Sequence, residues 1–293
     1  MGKASWLKQE FQIANFKLEY DAPEEIVISQ WQVESISWIY LIYRWIIGLF
    51  FLGLEIAAWV QDDYPKFWLI FLTYWGITLL CVHMLFAAGV VTYRHYQIQK
   101  LESVLYYDKM PTVYKIYWAM QTCTTVATFC ISILYWTLLH TAEKNSVMNF
   151  MTHAVNSMLM MVDLFVISHP TKLLHFYISI SMAFFYGLFS LIYFWAGGVD
   201  PHNNHYIYKV IDWNNPGQTA VVICGALVLA IFIHILVFLI YKFRLYLHAR
   251  LSRSKTMVLS ISSKNGRTNL AHAYDFKGSQ IEKIKTFDKK HYI

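Results

Sequence analysis

Six apolar stretches, near 37–60, 67–92, 113–139, 147–168, 173–196 and 218–241, set the hydrophobic pattern of the chain. Each is long enough to cross ~30 Å of hydrocarbon as a helix rising about 1.5 Å per residue. Backbone groups in lipid must be satisfied within their own segment, and no alternating ten-residue strand pattern is present, so the stretches predict α-helices. The expected fold class is an all-α polytopic membrane bundle. An arm at 1–36 precedes a six-helix transmembrane domain at 37–241, and a tail occupies 242–293. The fourth stretch stands apart, because Met148–Ile167 carries His153, Asn156 and Asp163, which are costly against lipid and must be sheltered by neighbouring helices.

Composition excludes a soluble domain: 57% of residues are hydrophobic and 14% charged, against about a quarter charged in soluble domains. The net charge of +6 does not point to nucleic acid, since 12 of the 24 Lys and Arg lie in 242–293. With the N-terminus inside, the inner segments hold 20 cations and the outer loops only Lys66, Lys144 and Lys209, with Arg44 left inside a span. That division places both termini in the cytoplasm. Residues 1–36 contain no apolar run ending in a small-residue cleavage site, so the first span is read as a signal anchor. Met1-Gly2 opens a myristoylation pattern that Trp6 breaks. The expected location is a cellular membrane, plasma membrane or endoplasmic reticulum.

Ionisable groups inside spans are few, which makes each informative. Arg44 and Glu55 share a face of the first span without touching; Arg44 is near enough to the inner interface to snorkel, and Glu55 needs a donor from another helix. His83 and His234 sit near the middles of the second and sixth spans, where an interhelical hydrogen bond is the commoner role. His153, Asn156 and Asp163 fall on one face of the fourth span, a stripe expected to face the bundle interior. Counted inward from the outer boundary, Thr73 and His153 are each six residues deep, about 9 Å, so a hydroxyl and an imidazole stand at equal depth. That permits a nucleophile–base contact, although a Thr bonded back to its own helix is the commoner arrangement.

Cys81, Cys123, Cys130 and Cys224 all lie in predicted spans, so no outer disulfide framework is expected; Cys123 and Cys130 admit a metal reading, but packing is the usual role of buried Cys. The outer loop 197–217 combines turn signals (Gly197-Gly198, Asp200-Pro201, Asn215-Pro216-Gly217) with the interfacial run Tyr206–Trp213 and is expected to fold back as a lid. Asp200, His202, His205 and Asp212 match no standard metal spacing, so neither metal nor cofactor is expected. The tail is polar and reads as disordered. Its five cations in 242–255 suit anionic lipid headgroups, each contributing about 1 kcal/mol, and equally suit a plain stop signal.

His153-Ala154-Val155-Asn156-Ser157, Gly197-Gly198-Val199-Asp200-Pro201 and Tyr206–Trp213 with Pro216-Gly217 resemble the rolling stone family of multi-pass membrane proteins over roughly residues 30–245. The resemblance implies a role in myoblast fusion and muscle development. More distantly, Leu72-Thr73-Tyr74-Trp75 and His153 resemble the androgen-induced hydrolases of fatty-acid esters. That resemblance implies Thr73 as nucleophile, His153 as base, Asn156 as an orienting or oxyanion group, and a lipid-ester substrate. The second His of the hydrolase motif is Asn156 here.

Overall fold

The computed structural model describes residues 8–101, 107, 109–140 and 146–265. Among them regular structure is helical, with two isolated bridges, Ser29 to Ile167 and Tyr208 to Ile211. The helices are α1 (Trp38–Val60), α2 (Leu72–Leu101), α3 (Thr112–Leu134), α4 (Asn156–Val166), α5 (Phe176–Trp195) and α6 (Pro216–Asn265). A π-helical turn, Tyr135–Leu139, continues α3, and another, Met151–Val155, leads into α4 after the short helix Val147–Phe150. Five helices, all but α4, are long and apolar enough to cross a membrane. The fourth stretch is helical from 147 to 166 but broken into three pieces by its π turn.

α3 is the central helix, contacting α2, α4, α5 and α6, while α1 packs on α2 and α5 on α6. Its buried residues lie on several sides, as a helix surrounded by neighbours requires, whereas α1 leaves Ile39, Ile42 and Ile46 exposed on an outward face.

α6 runs through residues 242–265, so that part of the basic tail is helical and not disordered. No Pro or Gly stands between Gly225 and Gly266 to stop it, and at about 1.5 Å per residue the helix is some 75 Å long. The remainder of the tail, 266–293, lies outside the described residues, as do Met1-Gly2 and Lys144.

The arm lies across the bundle end where α1 begins, and its placement follows from unpaired carbonyls. The last four C=O groups of a helix lack an internal partner. In α4, the Asp163 carbonyl accepts from Ile167 N–H and the Leu164 carbonyl from Arg244 Nη1 at 2.7 Å. The Phe165 carbonyl accepts from Trp31 Nε1 at 2.6 Å, and that of Val166 from Ser29 Oγ at 2.9 Å and Gln30 N–H. Thus the arm supplies two of the four caps. Ile26 and Val27, both 0% exposed, anchor it apolarly beside Tyr114, Tyr117 and Trp118. Ion pairs Lys242–Glu10 (2.7 Å) and Lys115–Glu19 tie the arm to α6 and α3.

Candidate functional site

Two places in the bundle carry chemistry: a polar centre toward the arm end and an apolar cavity toward the loop end. At the polar centre, Arg44 Nη1 donates to Asp163 Oδ1 at 2.8 Å, joining α1 to α4. Tyr40, one helical turn before Arg44, accepts from its Nε at 2.9 Å and its Nη2 at 2.8 Å. Tyr43 donates to the same carboxylate oxygen at 3.0 Å, and Gln121 Nε2 lies 3.4 Å from the other. Arg44 therefore does not snorkel; it is 0% exposed, like Asp163. A charge this deep persists only with a partner and further hydrogen bonds, and this pair has both. The sequence carries a signal for the pairing: Arg44 is the single Lys or Arg within a predicted span interior, against the carboxylates Glu55 and Asp163.

The other intramembrane polar groups follow the expected pattern. The polar stripe of His153, Asn156 and Asp163 is buried in the interior. Thr78 of α2 donates to Glu55 at 2.5 Å, supplying the donor that Glu55 required from a second helix. His83 lies 2.9 Å from Thr124 of α3, and His234 lies 2.7 Å from Ser179 of α5. Thr124 Oγ1 also reaches the Met120 carbonyl at 2.8 Å, and His83 Nε2 has no hydrogen-bond partner.

The apolar cavity, about 90 Å³, is bounded by α2, α3 with its π turn, α5, α6 and the loop. Leu72, Ile131, Met182, Val222 and Ala226 supply apolar wall, while Thr73 and Tyr208 supply polar atoms. The loop folds back over it. α5 ends in a Schellman motif: Gly197 adopts φ +76°, its N–H reaches the Phe194 carbonyl, and Gly198 N–H reaches that of Tyr193. Tyr193 then donates to Val199 at 2.8 Å. Further along, the Tyr208 hydroxyl accepts from Leu72 N–H at 3.0 Å, capping the first amide of α2. Burial pushes the Tyr208 phenol up to about 12 even though hydrogen bonds with Leu72 and Thr73 pull the other way.

The sequence-derived candidates divide between two walls. Thr73 lines the cavity beside Tyr208. His153 stacks face to face on Tyr135, with ring centroids 3.6 Å apart and planes 3° apart, and its Nδ1 has no partner. Tyr135 also lines the cavity, so it touches both regions. Among the described residues no hydrogen bond joins Thr73 to His153. Asn156 accepts from Ser157 Oγ at 3.2 Å. Each ring of the stack belongs to a π turn, Tyr135 to 135–139 and His153 to 151–155. The His153 carbonyl accepts from Ser132 and from Ser157. π turns recur at functional sites.

The loop carboxylates are engaged by their own backbone. Asp200 accepts from the amides of His202 and Asn204, both at 2.8 Å, and Asp212 from that of Asn214 at 3.0 Å. Burial raises the Asp200 carboxyl, but hydrogen bonds from Asn204 and His202 outweigh it and leave the group below the usual carboxylate range. Among the described residues no group of three or more His, Cys, Asp or Glu is placed to hold a metal, and all four cysteines are free.

A family model described as "Protein rolling stone" matches residues 3–261, so the match takes in the arm and the first part of the tail, beyond the 30–245 expected from motifs. A curated relative, "Protein rolling stone" of Drosophila melanogaster, is 36% identical over 245 residues, covering 80% of this chain and 89% of that protein. No solved structure matches the chain.

Proposed function

The chain belongs to the rolling stone family, and on that premise we propose that it is a six-span membrane protein, both termini cytoplasmic, acting in cell–cell fusion during muscle formation. Its part in that process is to hold the tip of one apolar chain of a membrane lipid in the cavity beneath the loop, which at about 90 Å³ admits a few methylene groups. The observation that carries this reading is the cavity wall. A void with predominantly apolar walls takes an apolar guest. Leu138, which lines it, is 47% exposed, and Thr73 and Tyr208 form the polar end where a headgroup oxygen would rest.

A lipid-ester hydrolase would need Thr73 within ~2.6–3.2 Å of its base. Thr73 has Tyr208 as its neighbour and His153 has Tyr135, an arrangement that favours holding over cleaving. Two measurements on purified protein separate the readings. Native mass spectrometry should detect a co-purified lipid, which is lost in Ala226→Phe, where the ring fills the cavity. A serine/threonine-directed fluorophosphonate should leave the wild type unlabelled. Labelling abolished by Thr73→Ala and by His153→Ala would replace lipid holding with hydrolysis. Surface-delivered Ala226→Phe that supports fusion at the wild-type level would remove the cavity from the function.

A further inference from the structure

A second, much smaller cavity, about 10 Å³, lies where α3 and α6 meet the turn 167–171. Its wall includes Gln121, Thr125, His169 and His234. His234 is satisfied: it bonds Ser179 through Nδ1 and lies 3.1 Å from the Lys172 carbonyl through Nε2. Gln121 and His169 are not. They are 4% and 2% exposed; Gln121 Oε1 has no hydrogen-bond partner, and the His169 ring, although the Ile26 backbone lies beside it, makes no well-formed hydrogen bond through either nitrogen.

The orientation of Gln121 is fixed by its surroundings. Its Nε2 faces Asp163 Oδ2 at 3.4 Å and Thr125 Oγ1 at 3.1 Å. Turned over, the amide would set its own oxygen against a carboxylate. Oε1 is therefore held away from the ion pair as a bare acceptor. His169 lies edge-on to Tyr117, with centroids 4.4 Å apart, and burial together with the nearby Arg44, His83 and Arg244 holds its imidazole neutral, well below its ordinary pKa, although the Ile26 backbone pulls the other way. A neutral ring offers one donor and one acceptor. Leaving such groups bare in the interior is costly, and native proteins fill sites of this kind with ordered water. The void has about the volume that one water requires, and its polar partners stand on its wall.

We infer that this cavity binds one ordered water molecule, which donates to Gln121 Oε1 and shares a hydrogen bond with the His169 ring. The water links the 167–171 turn to α3. Through Gln121 it braces the carboxylate that Arg44 requires. The site is distinct from the apolar cavity and does not depend on the lipid-holding reading.

The test is an experimental structure of the full chain in nanodiscs at a resolution that shows solvent. A density peak within hydrogen-bond distance of both Gln121 Oε1 and a His169 nitrogen is the expected result. An empty void, or a side chain turned into it, overturns the inference. Hydroxyl-radical footprinting supplies a second readout: Trp118 and Pro170 on the cavity wall should be oxidised although buried, by radicals formed from the bound water. Gln121→Met should lower that labelling severalfold while exposed residues label as before. Wild-type labelling at background, or a Gln121→Met protein labelled as strongly as wild type, also overturns it.

Discussion

Arg44 and Asp163 meet at 2.8 Å across 119 residues of chain, and neither side chain reaches the surface. Removing one partner strands the other, whereas removing both strands neither. Arg44→Met and Asp163→Leu should each cost about 3–5 kcal/mol, seen as lost folded yield or a lowered melting temperature in detergent. The double variant should regain most of that loss. If the double variant loses the sum of the singles, the two charges are not coupled.

Topology is open to a direct check. Epitopes in the 1–20 arm and at residue 293 should bind antibody only after permeabilisation, and one near His205 should bind on intact cells. The motive is the division of 20 cations to 3 between the two sides. Tail labelling in intact cells would rule the six-span arrangement out.

At the end of α5, Gly197 occupies a left-handed conformation and Gly198 rests against the Tyr193 ring, where an added Cβ would come within 2.3 Å of ring carbon. Gly197→Ala should cost about 1 kcal/mol of backbone strain. Gly198→Ala should cost more, because the ring that must move also holds Val199. Melting curves of the two variants would rank them; an unchanged Gly198→Ala protein would mean that the loop is not seated on Tyr193.

The Asp200 carboxyl, depressed in the folded loop, sets a pH dependence with a definite sign. A carboxylate whose folded pKa lies below its unfolded value, ordinarily about 3.9, contributes stability above that value and loses it as pH falls through the folded pKa. The melting temperature of wild type should exceed that of Asp200→Asn at pH 7, and the gap should close as the pH is lowered through that depressed pKa. A gap that stays constant to the lowest accessible pH would show that the charge on Asp200 is irrelevant.

Hydropathy made the helices, the inward face of Asp163 and the need of Glu55 for a donor legible, because each follows from depth and periodicity along one segment. It could not give the rotation of one helix against another. Arg44 was therefore assigned to the interface when its partner stood at reachable depth on α4, and Thr73 and His153 were paired by depth although they sit against different aromatic neighbours. The arm was opaque for a related reason: its polar groups gain their order from carbonyls at the end of α4, which no local pattern in 1–36 reveals. Polar composition along 242–265 predicts disorder, whereas the absence of Pro and Gly there lets the helix continue.

The sequence separation of the ion pair also imposes an order on biosynthesis. At about 5–20 residues per second, Arg44 waits on the order of ten seconds after its own synthesis before Asp163 emerges. During that interval the first span carries an unneutralised guanidinium, with the Tyr40 hydroxyl one turn away on the same helix as its hydrogen-bond acceptor and the Tyr43 ring beside it. Tyr40→Phe should therefore slow or misdirect insertion of nascent chains truncated before residue 163 more than it harms the finished protein. Ribosome-bound intermediates of increasing length, scored for membrane integration, would time the arrival of the aspartate beside the tyrosine that already holds the guanidinium.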